Sequence, residues 1–480
     1  MRNAFSEQPE DRSLEVDRET MERWTNHLAR VLGRHIESLP SQPAGYDTAK
    51  PRAASKPEPL PESGASFEDL VRLVVDELLP ESFNTAGPGY LAYIPGGGLY
   101  QAALGEFLAA ALNRYVGVSQ AAPGLVALEA QVLRWLADII GYGPDARGIL
   151  TSGGSLANFS AVVAARREHL GYELRSGVVY ASTQVHHSVV KAALLAGLAP
   201  EAVRSVPVDG AFRMRIDALE DAIVADRARG LRPFLVVGSG GTTNTGAVDD
   251  LSRLADVAER HRLWFHVDAA YGGFFLLTDR GREVLRGIDR ADSVVLDPHK
   301  GLFLPYGTGA LVVKDGEALR RAHAVHAEYL PPAADGAVDP LLVDFSEYSP
   351  ELSRGFRGLS VWLPLKLHGI GVFRRNLDEK LDLARRAHGR LALMKGIAVV
   401  AAPELSITAF RAVRPGLDGE AENALNRRLL AAVLSHQRVW LTHTVLDGRF
   451  TIRICVLSFR THADRLDLAL DLIERENARL

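Results

Sequence analysis

The 480-residue sequence has little cysteine and no marked excess of charge of either sign. Its one cysteine, Cys455, can form neither an intrachain disulfide nor a thiolate metal site. The 55 Lys and Arg residues nearly balance the 59 Asp and Glu residues, and the formal net charge is -4. Because this composition creates no global cationic field, we expect neither nucleic acid nor an acidic membrane surface as a partner.

The sequence also lacks a long apolar run. A membrane-spanning helix needs about 18 or more apolar residues, and even the apolar tract at residues 99–112 is interrupted by Gln101 and Glu106. Residues 1–17 are acidic and lack the apolar stretch of a signal peptide. These absences predict a cytoplasmic protein without a membrane span.

What is present is typical of a globular protein, with 47% hydrophobic and 24% charged residues. At roughly 150 residues per domain, the length predicts about three structural units. The predicted units are an N-terminal arm with helices at 1–99, which includes a proline-rich segment at 39–65, a large domain at 100–371 and a smaller C-terminal α+β domain at 372–480. Helical apolar spacing predicts helices at 18–38, 66–79 and 100–115.

From Gly148 onward, short β-branched apolar runs alternate with helical patterns. This alternation predicts an α/β fold in which a mostly parallel sheet is covered by helices on both faces. Ligands of such folds bind beyond the carboxyl ends of the strands. The polar residues that follow the predicted strands are therefore the candidate site.

The first candidate is the segment at 151–158, which contains Gly153, Gly154 and Ser155 between a strand and a helix. Glycines let the backbone approach a ligand, and free N–H groups at a helix N-terminus favour an anion such as phosphate. Taken alone, a glycine turn with a serine cap is the simpler explanation. The segment is not a P-loop, because no Gly-Lys-Ser/Thr follows.

The second candidate is Asp268, which ends an apolar strand pattern. A buried carboxylate needs a cationic partner. A turn-capping aspartate is the simpler alternative. His266 and Asp268 as metal ligands are a third interpretation, which is weak because no further ligand stands at a characteristic spacing.

Lys300 and His186 also follow predicted strands. A lysine in a pocket at a strand end can form a Schiff base, although most lysines are solvated surface residues. His186 opens a predicted helix, where a histidine can cap the helix or stack on a planar ligand. Together with the Gly-Gly-Ser turn and Asp268, these residues supply an anion cradle, a stacking face, a countercharge and an amine. Pyridoxal phosphate requires all four.

At this point the sequence resembles the group II pyridoxal-phosphate-dependent amino-acid decarboxylases over roughly residues 66–480. The strongest shared segments are HVDAAYGG at 266–273 and DPHKG at 297–301. The resemblance implies the type I aminotransferase-like fold, with pyridoxal 5'-phosphate as the cofactor. It also implies a homodimer with active sites at the subunit interface.

The resemblance implies a role for each matched residue and no metal. Lys300 would form the Schiff base with the cofactor, Asp268 would keep the pyridine nitrogen protonated, and His186 and Ala270 would enclose the ring. The other implied cofactor contacts are Gly154, Ser155 and Thr243 at the phosphate and His299 at the phosphate or the substrate carboxylate. The implied reaction removes carbon dioxide from an amino acid and then returns a proton to Cα.

A loop that covers the active site in that family corresponds to residues 329–353, and one position departs from the pattern. Counting back from Gly-Phe-Arg at 355–357, the tyrosine that returns the proton falls on Phe345, which has no proton to give. A phenylalanine there implies that oxygen intervenes and that aldehyde, ammonia and hydrogen peroxide are formed. If the alignment is shifted, Tyr348 is the acid instead.

The segment Tyr93-Ile94-Pro95 matches the family segment that contacts the substrate side chain. Aromatic residues expected in the pocket are replaced by Thr85, Ile94 and Val118, which predicts a wider or less aromatic pocket. Because no basic cluster is evident near these positions, apolar and aromatic L-amino acids are the leading substrate candidates.

The leading function is therefore decarboxylation of an L-amino acid to an amine. A decarboxylating oxidative deaminase and an aminotransferase or lyase of the same fold are the alternatives within the resemblance. Formation of hydrogen peroxide would distinguish the oxidative deaminase from the decarboxylase. The absence of carbon dioxide would identify the aminotransferase or lyase. A non-catalytic or metal-dependent protein, with Lys300 at the surface, is the alternative from a different class.

Overall fold

The structure, a computed structural model, describes residues 14–46, 59–325 and 341–480. Part of the predicted proline-rich segment at 39–65 therefore lies outside the described residues. Its beginning packs on the C-terminal unit, where the Ala44 amide donates to the Gln437 carbonyl oxygen at 2.8 Å. No helix within the described ranges is long and apolar enough to cross a bilayer.

Two helices precede the large unit, α1 (Arg18–Ser38) and α2 (Phe67–Arg72). Helix α1 has the predicted bounds. The helix predicted at 66–79 is shorter than expected, because the chain continues from α2 as a π-helical turn at Leu73–Leu78 and a 3-10 turn at Leu79–Glu81. Pro80, which has no N–H group to donate, lies in the second turn.

The large unit is built on one sheet. Its strands are β1 (Arg147–Thr151), β2 (Gly177–Ser182), β3 (Val203–Val206), β4 (Arg232–Ser239), β5 (Trp264–Asp268), β6 (Ser293–Leu296) and β7 (Gly309–Val313). Their order is β1-β7-β6-β5-β4-β2-β3. Strand β7 is antiparallel to both of its neighbours, and the other pairs are parallel. The predicted mostly parallel α/β sheet is confirmed.

Helices cover both faces of this sheet. They are α3 (Tyr100–Leu112), α4 (Pro123–Ile140), α5 (Gly154–Leu170), α6 (His187–Leu195), α7 (Ile216–Ala228), α8 (Leu251–His261), α9 (Asp279–Val284), α10 (Pro298–Gly301), α11 (Gly316–His323) and α12 (Gly358–His368). Strands β2, β5 and β7 are buried at every residue, as a sheet covered on both faces requires. Helix α3 ends before the predicted residue 115 because Asn113 adopts a left-handed conformation and caps it.

The C-terminal unit has its own antiparallel sheet. Its elements are α13 (Ile370–Leu393), β8 (Ile397–Val399), β9 (Ile407–Ala412), α14 (Gly419–Ser435), β10 (Thr442–Leu446), β11 (Arg449–Cys455) and α15 (Ala463–Arg479). The strands pair in the order β10-β11-β9-β8, and a separate core that includes Phe410, Leu429 and Ile452 joins them to the helices. The smaller α+β unit is therefore present, while the boundaries 1–99, 100–371 and 372–480 stay predictions.

Candidate active site

One cavity of about 260 Å³ lies where the parallel strands β2, β4, β5 and β6 end. The eight residues predicted to hold the cofactor all line it, namely Gly154, Ser155, His186, Thr243, Asp268, Ala270, His299 and Lys300. These residues come from separate loops along the chain. The sheet brings the loops together at one edge, as its topology predicts.

Helix α5 presents its N-terminus to this cavity. The helix begins at Gly154, and no side chain caps it. A Cβ atom on Gly154 would lie 3.0 Å from Asp297 Oδ2 and 3.1 Å from Ala270 Cβ, so the bare backbone is needed there. The hydroxyl residues Ser155 and Thr243 line the same cavity. Uncapped N–H groups and hydroxyls at the N-terminus of a long helix fit the phosphate of the cofactor.

Lys300 lies on the short helix α10, directly after β6. Its Nζ is 2.8 Å from Asp297 Oδ2, and the two side chains are 22% and 2% exposed. The other oxygen, Asp297 Oδ1, is buried and has no hydrogen-bond partner among the described residues. Lys300 is thus held at a buried carboxylate inside the cavity, which overturns the alternative of a solvated surface lysine.

The chain around Lys300 is tightly packed. A Cβ on Gly301 would lie 2.6 Å from Phe274 Cβ, and a Cβ on Gly96 would collide with the His299 carbonyl oxygen. His299 Nδ1 is 2.7 Å from the Thr308 carbonyl oxygen, to which it donates. These contacts give the lysine backbone little room to move.

Asp268 ends β5 with its carboxylate held on both sides. Its Oδ2 accepts from Asn158 Nδ2 at 2.9 Å, and its Oδ1 accepts from the Ala270 amide at 3.2 Å. The residue is 8% exposed, and no cationic side chain of the described ranges forms an ion pair with it. A buried carboxylate that faces a cavity without a cation fits a protonated pyridine nitrogen.

His186 stands at the N-terminus of α6 and lines the cavity. Its Nδ1 is 2.7 Å from Ser188 Oγ. Burial lowers the pKa of His186, and the nearby positive charge of Lys300 acts in the same direction, although the Asp268 carboxylate opposes them. The ring is therefore neutral at pH 7, in the state suited to stacking on a flat ligand. The neighbouring His187 ring lies 4.2 Å away between centroids.

His266 lies between two polar side chains of the protein. Its Nδ1 is 2.8 Å from Ser293 Oγ and its Nε2 is 2.9 Å from Asn158 Oδ1, so both ring nitrogens have protein partners. Over the part of the chain that the structure describes, no group of three or more His, Cys, Asp or Glu residues is placed to hold a metal ion. The hydrogen bonds of His266 favour a structural role for this residue over the metal interpretation.

The C-terminal unit reaches the cavity through the loop that carries Thr243. Arg453 on β11 is 3% exposed. It donates from Nη2 to the Thr243 carbonyl oxygen and from Nε to the Asn244 carbonyl oxygen, the second at 2.9 Å. The Tyr271 hydroxyl, which also lines the cavity, is 2.7 Å from Ser406 Oγ. The end of the cavity at Thr243 is thus attached to both units.

The structure does not bring Phe345 and Tyr348 to this cavity. Phe345 is 1% exposed, and its ring lies 4.9 Å from the guanidinium carbon of Arg354. Tyr348 is 8% exposed, and burial raises the pKa of its hydroxyl. The segment is held against residues 117–119, because the Ser346 amide donates to the Gly117 carbonyl oxygen at 3.0 Å. The earlier part of the predicted loop, through residue 340, lies outside the described residues.

The predicted substrate segment lies beside the cavity rather than in its lining. Tyr93 is 57% exposed and has a left-handed backbone with φ of 50°, while Ile94 is 9% exposed and belongs to the core. Pro95 is buried next to Gly96, which packs on the His299 carbonyl group. Thr85 lines a different cavity, together with Phe83 and Asn84. Thr85, Ile94 and Val118 therefore do not form one pocket within this chain.

Several cavity residues were missed by sequence reasoning. They are Ser152, Asn158, Ser188, Ser239, Tyr271 and Asp297. For two of them, the spacing in the sequence from a predicted residue could have indicated the cavity. Asn158 is one helical turn beyond Gly154, and Asp297 is one turn before Lys300, so both share a helix face or turn with a predicted residue.

The comparisons with known proteins agree with this site. A family profile described as the pyridoxal-dependent decarboxylase conserved domain matches residues 50–413. The chain is 31% identical over 456 residues to aromatic-L-amino-acid decarboxylase of Bacillus atrophaeus, with 95% of each chain covered. It is 31% identical over 437 residues to phenylacetaldehyde synthase of Petunia hybrida, covering 87% of this chain and 86% of that one. The crystal structure of Oryza sativa TDC with PLP and tryptamine superposes with a TM-score of 0.90 at 26% identity, covering 97% of this chain and 99% of that one.

Proposed function

Because this chain belongs to the pyridoxal-dependent decarboxylase family, with its type I fold and its pyridoxal 5'-phosphate cofactor, we propose that Lys300 carries the cofactor and that an aromatic or apolar L-amino acid is converted to an amine. The enzyme is a carboxy-lyase that acts on amino acids. The observation that supports the proposed roles is the single cavity in which Lys300, Asp268 and the N-terminus of α5 meet.

Bound pyridoxal phosphate supplies an electron sink for breaking the bond between Cα and the substrate carboxylate. Lys300 Nζ is the attachment point, and Asp297 Oδ2 holds its proton at 2.8 Å. Asp268 keeps a proton on the pyridine nitrogen, because an uncompensated buried carboxylate stabilises a cation beside it. The backbone of Gly154 and Ser155 and the Thr243 hydroxyl would hold the phosphate. His186 and Ala270 would enclose the ring, and His299, next to Lys300 in the chain, would bind the phosphate or the substrate carboxylate.

We propose that the product is the amine rather than the aldehyde. Phe345 suggested the aldehyde, but its ring is sealed in the core and does not reach the cavity. Tyr348 is buried in the same segment. The remaining tyrosine of the segment at 329–353 is Tyr329, which lies outside the described residues. We assign to it the return of the proton to Cα.

The aromatic substrate class is supported by what surrounds the cavity. Tyr93 and Tyr306 are 57% and 64% exposed, and the Tyr306 ring lies 5.8 Å from the ring of His299, a cavity residue. The relative from Bacillus atrophaeus is named an aromatic-L-amino-acid decarboxylase. Aromatic side chains at the rim suit an aromatic substrate through edge and face contacts.

We propose a homodimer with the active site at its interface, and a cytoplasmic location. Helix α3 exposes one apolar stripe, formed by Leu104, Phe107, Leu108 and Leu112, each between 42% and 56% exposed. Such a stripe on a helix suits a second copy of this chain. Dimerisation brings a partner surface to the rim, where the substrate enters. The cytoplasmic location rests on the near absence of cysteine, and cell fractionation tests it.

The function is tested by incubating the cofactor-loaded enzyme with a panel of L-amino acids in air. Carbon dioxide, amine, aldehyde and hydrogen peroxide are measured together, for the wild type and for the variants Y329F and F345Y. We expect amine without peroxide from the wild type and from F345Y, and aldehyde with peroxide from Y329F. Peroxide equal to carbon dioxide in the wild type would establish the aldehyde-forming alternative. No turnover of any aromatic or apolar amino acid would overturn the proposed substrate class.

A further inference from the structure

We propose that Asn158 is a positioning residue that sets both the orientation of the Asp268 carboxylate and the tautomer of His186. The inference rests on the proposed roles of Asp268 and His186 at the cofactor ring. Asn158 lies on α5 and is 1% exposed. It connects the two residues through one continuous chain of hydrogen bonds, which is buried from Asp268 to Ser188 and part-buried at His186. The donor and acceptor directions in this chain follow from the chemistry of its members.

The side-chain amide of Asn158 uses both of its N–H groups. Its Nδ2 donates to Asp268 Oδ2 and to Ser188 Oγ, each at 2.9 Å. Its Oδ1 lies 2.9 Å from His266 Nε2. A carboxylate at this site only accepts, so the amide nitrogen must face Asp268 and the amide oxygen must face His266. The amide therefore has one allowed orientation.

The residues behind Asn158 agree with that orientation. Because the amide oxygen can only accept, His266 must carry its proton on Nε2 and accept at Nδ1 from Ser293 Oγ at 2.8 Å. Trp264 Nε1, which can only donate, supplies a hydrogen bond to Ser293 Oγ at 2.8 Å and leaves the serine proton for His266. Burial lowers the pKa of His266 to about 4, so the ring stays neutral and keeps one proton.

The orientation of the Asn158 amide also determines which atoms donate and which accept at Ser188 and His186. Ser188 Oγ accepts from Asn158 and so directs its own proton to His186 Nδ1 at 2.7 Å. The Ser188 amide donates to the same nitrogen at 3.3 Å. With two donors on Nδ1, neutral His186 carries its proton on Nε2. The tautomer of His186 is thus determined by a series of hydrogen bonds that starts at Trp264 and passes through Ser293, His266, Asn158 and Ser188.

One residue therefore controls two contacts of the cofactor ring. Without Asn158, Asp268 loses the donor that holds Oδ2 and keeps only the Ala270 amide on Oδ1. Ser188 also loses its donor and is free to accept from His186 instead. Both changes follow from the loss of the Asn158 amide, which acts through Asp268 and Ser188 and not by direct contact with a reacting atom.

The tautomer is tested in the apoprotein by ¹⁵N NMR of labelled histidines, with the His186 signals assigned by their absence in H186Q. We expect protonated Nε2 and unprotonated Nδ1 in the wild type, and a mixture of tautomers in N158A. The matched control is S160A, because Ser160 lies on the same helix, is fully buried and has a hydroxyl without a partner in the described part of the chain. A wild-type His186 protonated at Nδ1, or an N158A spectrum identical to the wild type, overturns the proposal.

The effect on the cofactor is measured as the dissociation constant of pyridoxal phosphate by equilibrium dialysis. Loss of a buried hydrogen bond to a charged group predicts an increase of about tenfold or more for N158A. The S160A control is expected to stay within about twofold of the wild type. If N158A does not fold, N158L replaces it, since leucine has a similar size and its side chain cannot donate to Asp268. An unchanged dissociation constant in a folded variant overturns the proposal.

Failure of the proposed function is recognised separately. If K300A binds the cofactor with the visible spectrum of the wild type, then Lys300 is not the attachment point and the proposed function fails. The apoprotein NMR experiment does not depend on that result. The two experiments therefore separate two cases. In one, His186 has the expected tautomer but the cofactor is not attached at Lys300; in the other, the cofactor is attached at Lys300 but His186 has a different tautomer.

Discussion

The floor and the rim of the cavity are built in opposite ways. The floor is the buried network of Asn158, His186, Ser188, His266 and Asp268. The donor and the acceptor of each of these hydrogen bonds belong to this chain. The rim instead leaves the aromatic rings of Tyr93 and Tyr306 more than half exposed. The side chains of the floor are therefore oriented by their hydrogen bonds, whereas the two rings of the rim keep most of their surface available for contact with another molecule.

The largest effect is expected inside the cavity, for K300A. Removal of the amine that is proposed to carry the cofactor should abolish the lysine-bound visible absorbance and lower kcat by at least about 10⁴-fold. Absorbance spectra and steady-state kinetics measure both. The control is K314A, because Lys314 is an exposed lysine that donates to the Asp289 carbonyl oxygen at 3.0 Å. Equal losses in the two variants would contradict a special role for Lys300.

The next effect tests whether Phe345 acts in the core or at the active site. Phe345 was predicted at the active site, but it is almost fully buried, so F345A should cost about 3–5 kcal/mol of the free energy of unfolding by leaving a void. Denaturant unfolding measures this loss. In F345Y, which keeps most of the volume, the ratio of amine to aldehyde should not change. A change in that ratio would return Phe345 to the active site.

A smaller effect is expected at the exposed face of α3. F107D places a charge in the apolar stripe and should weaken association of two copies by about 2 kcal/mol or more, which light scattering after size-exclusion chromatography detects as monomer. The cofactor dissociation constant should change much less, because the floor closes within one chain. The control is L393D, at a residue that is 88% exposed outside the stripe. Equal association of F107D and wild type would contradict the proposed dimer face.

The smallest effect is the dependence of stability on pH, to which two buried groups contribute with opposite signs. The pKa of His266 falls from 6.5 to about 4 on burial, so its contribution is present above pH 6.5 and is lost as the pH falls towards 4. The pKa of Asp249 rises from 3.8 to about 6 on burial, so its contribution is present below pH 3.8 and is lost as the pH rises through 6.

Thermal unfolding between pH 4 and 7 distinguishes the two groups. H266Q removes the first group and should make stability fall less steeply on acidification. D249N removes the second and should make it fall more steeply. The same slope in both variants and in the wild type would show that neither group titrates differently on folding.

The sequence predicted the fold and the lining of the cavity where the signal was local. Residues such as Asp268 and Lys300 directly follow strands, and parallel strands end at one edge, so their meeting could be predicted without tertiary information. Their individual roles remain proposals. Asn158 was missed because its partners are 30 and 110 residues away in the chain. Only the packing of α5 on the sheet brings them together.

Phe345 and the predicted substrate residues lie outside the cavity lining of this chain for a different reason. Their placement depended on counting through a loop and on matching single positions, where no periodic pattern constrains the register. The structure shows Phe345 packed on Arg354 and Thr85 lining another cavity. Walls formed by loops depend on long-range packing, which composition and spacing do not encode.

The hydrogen bonds from Arg453 to the loop of Thr243 make two equilibria interdependent. Docking of the C-terminal unit holds the loop that is proposed to bind the phosphate, so a phosphate bound there would in turn stabilise the docked arrangement. By thermodynamic reciprocity, each event must favour the other by the same free energy. If the phosphate binds at this loop as proposed, a lower concentration of the cofactor would leave the two units less firmly held together.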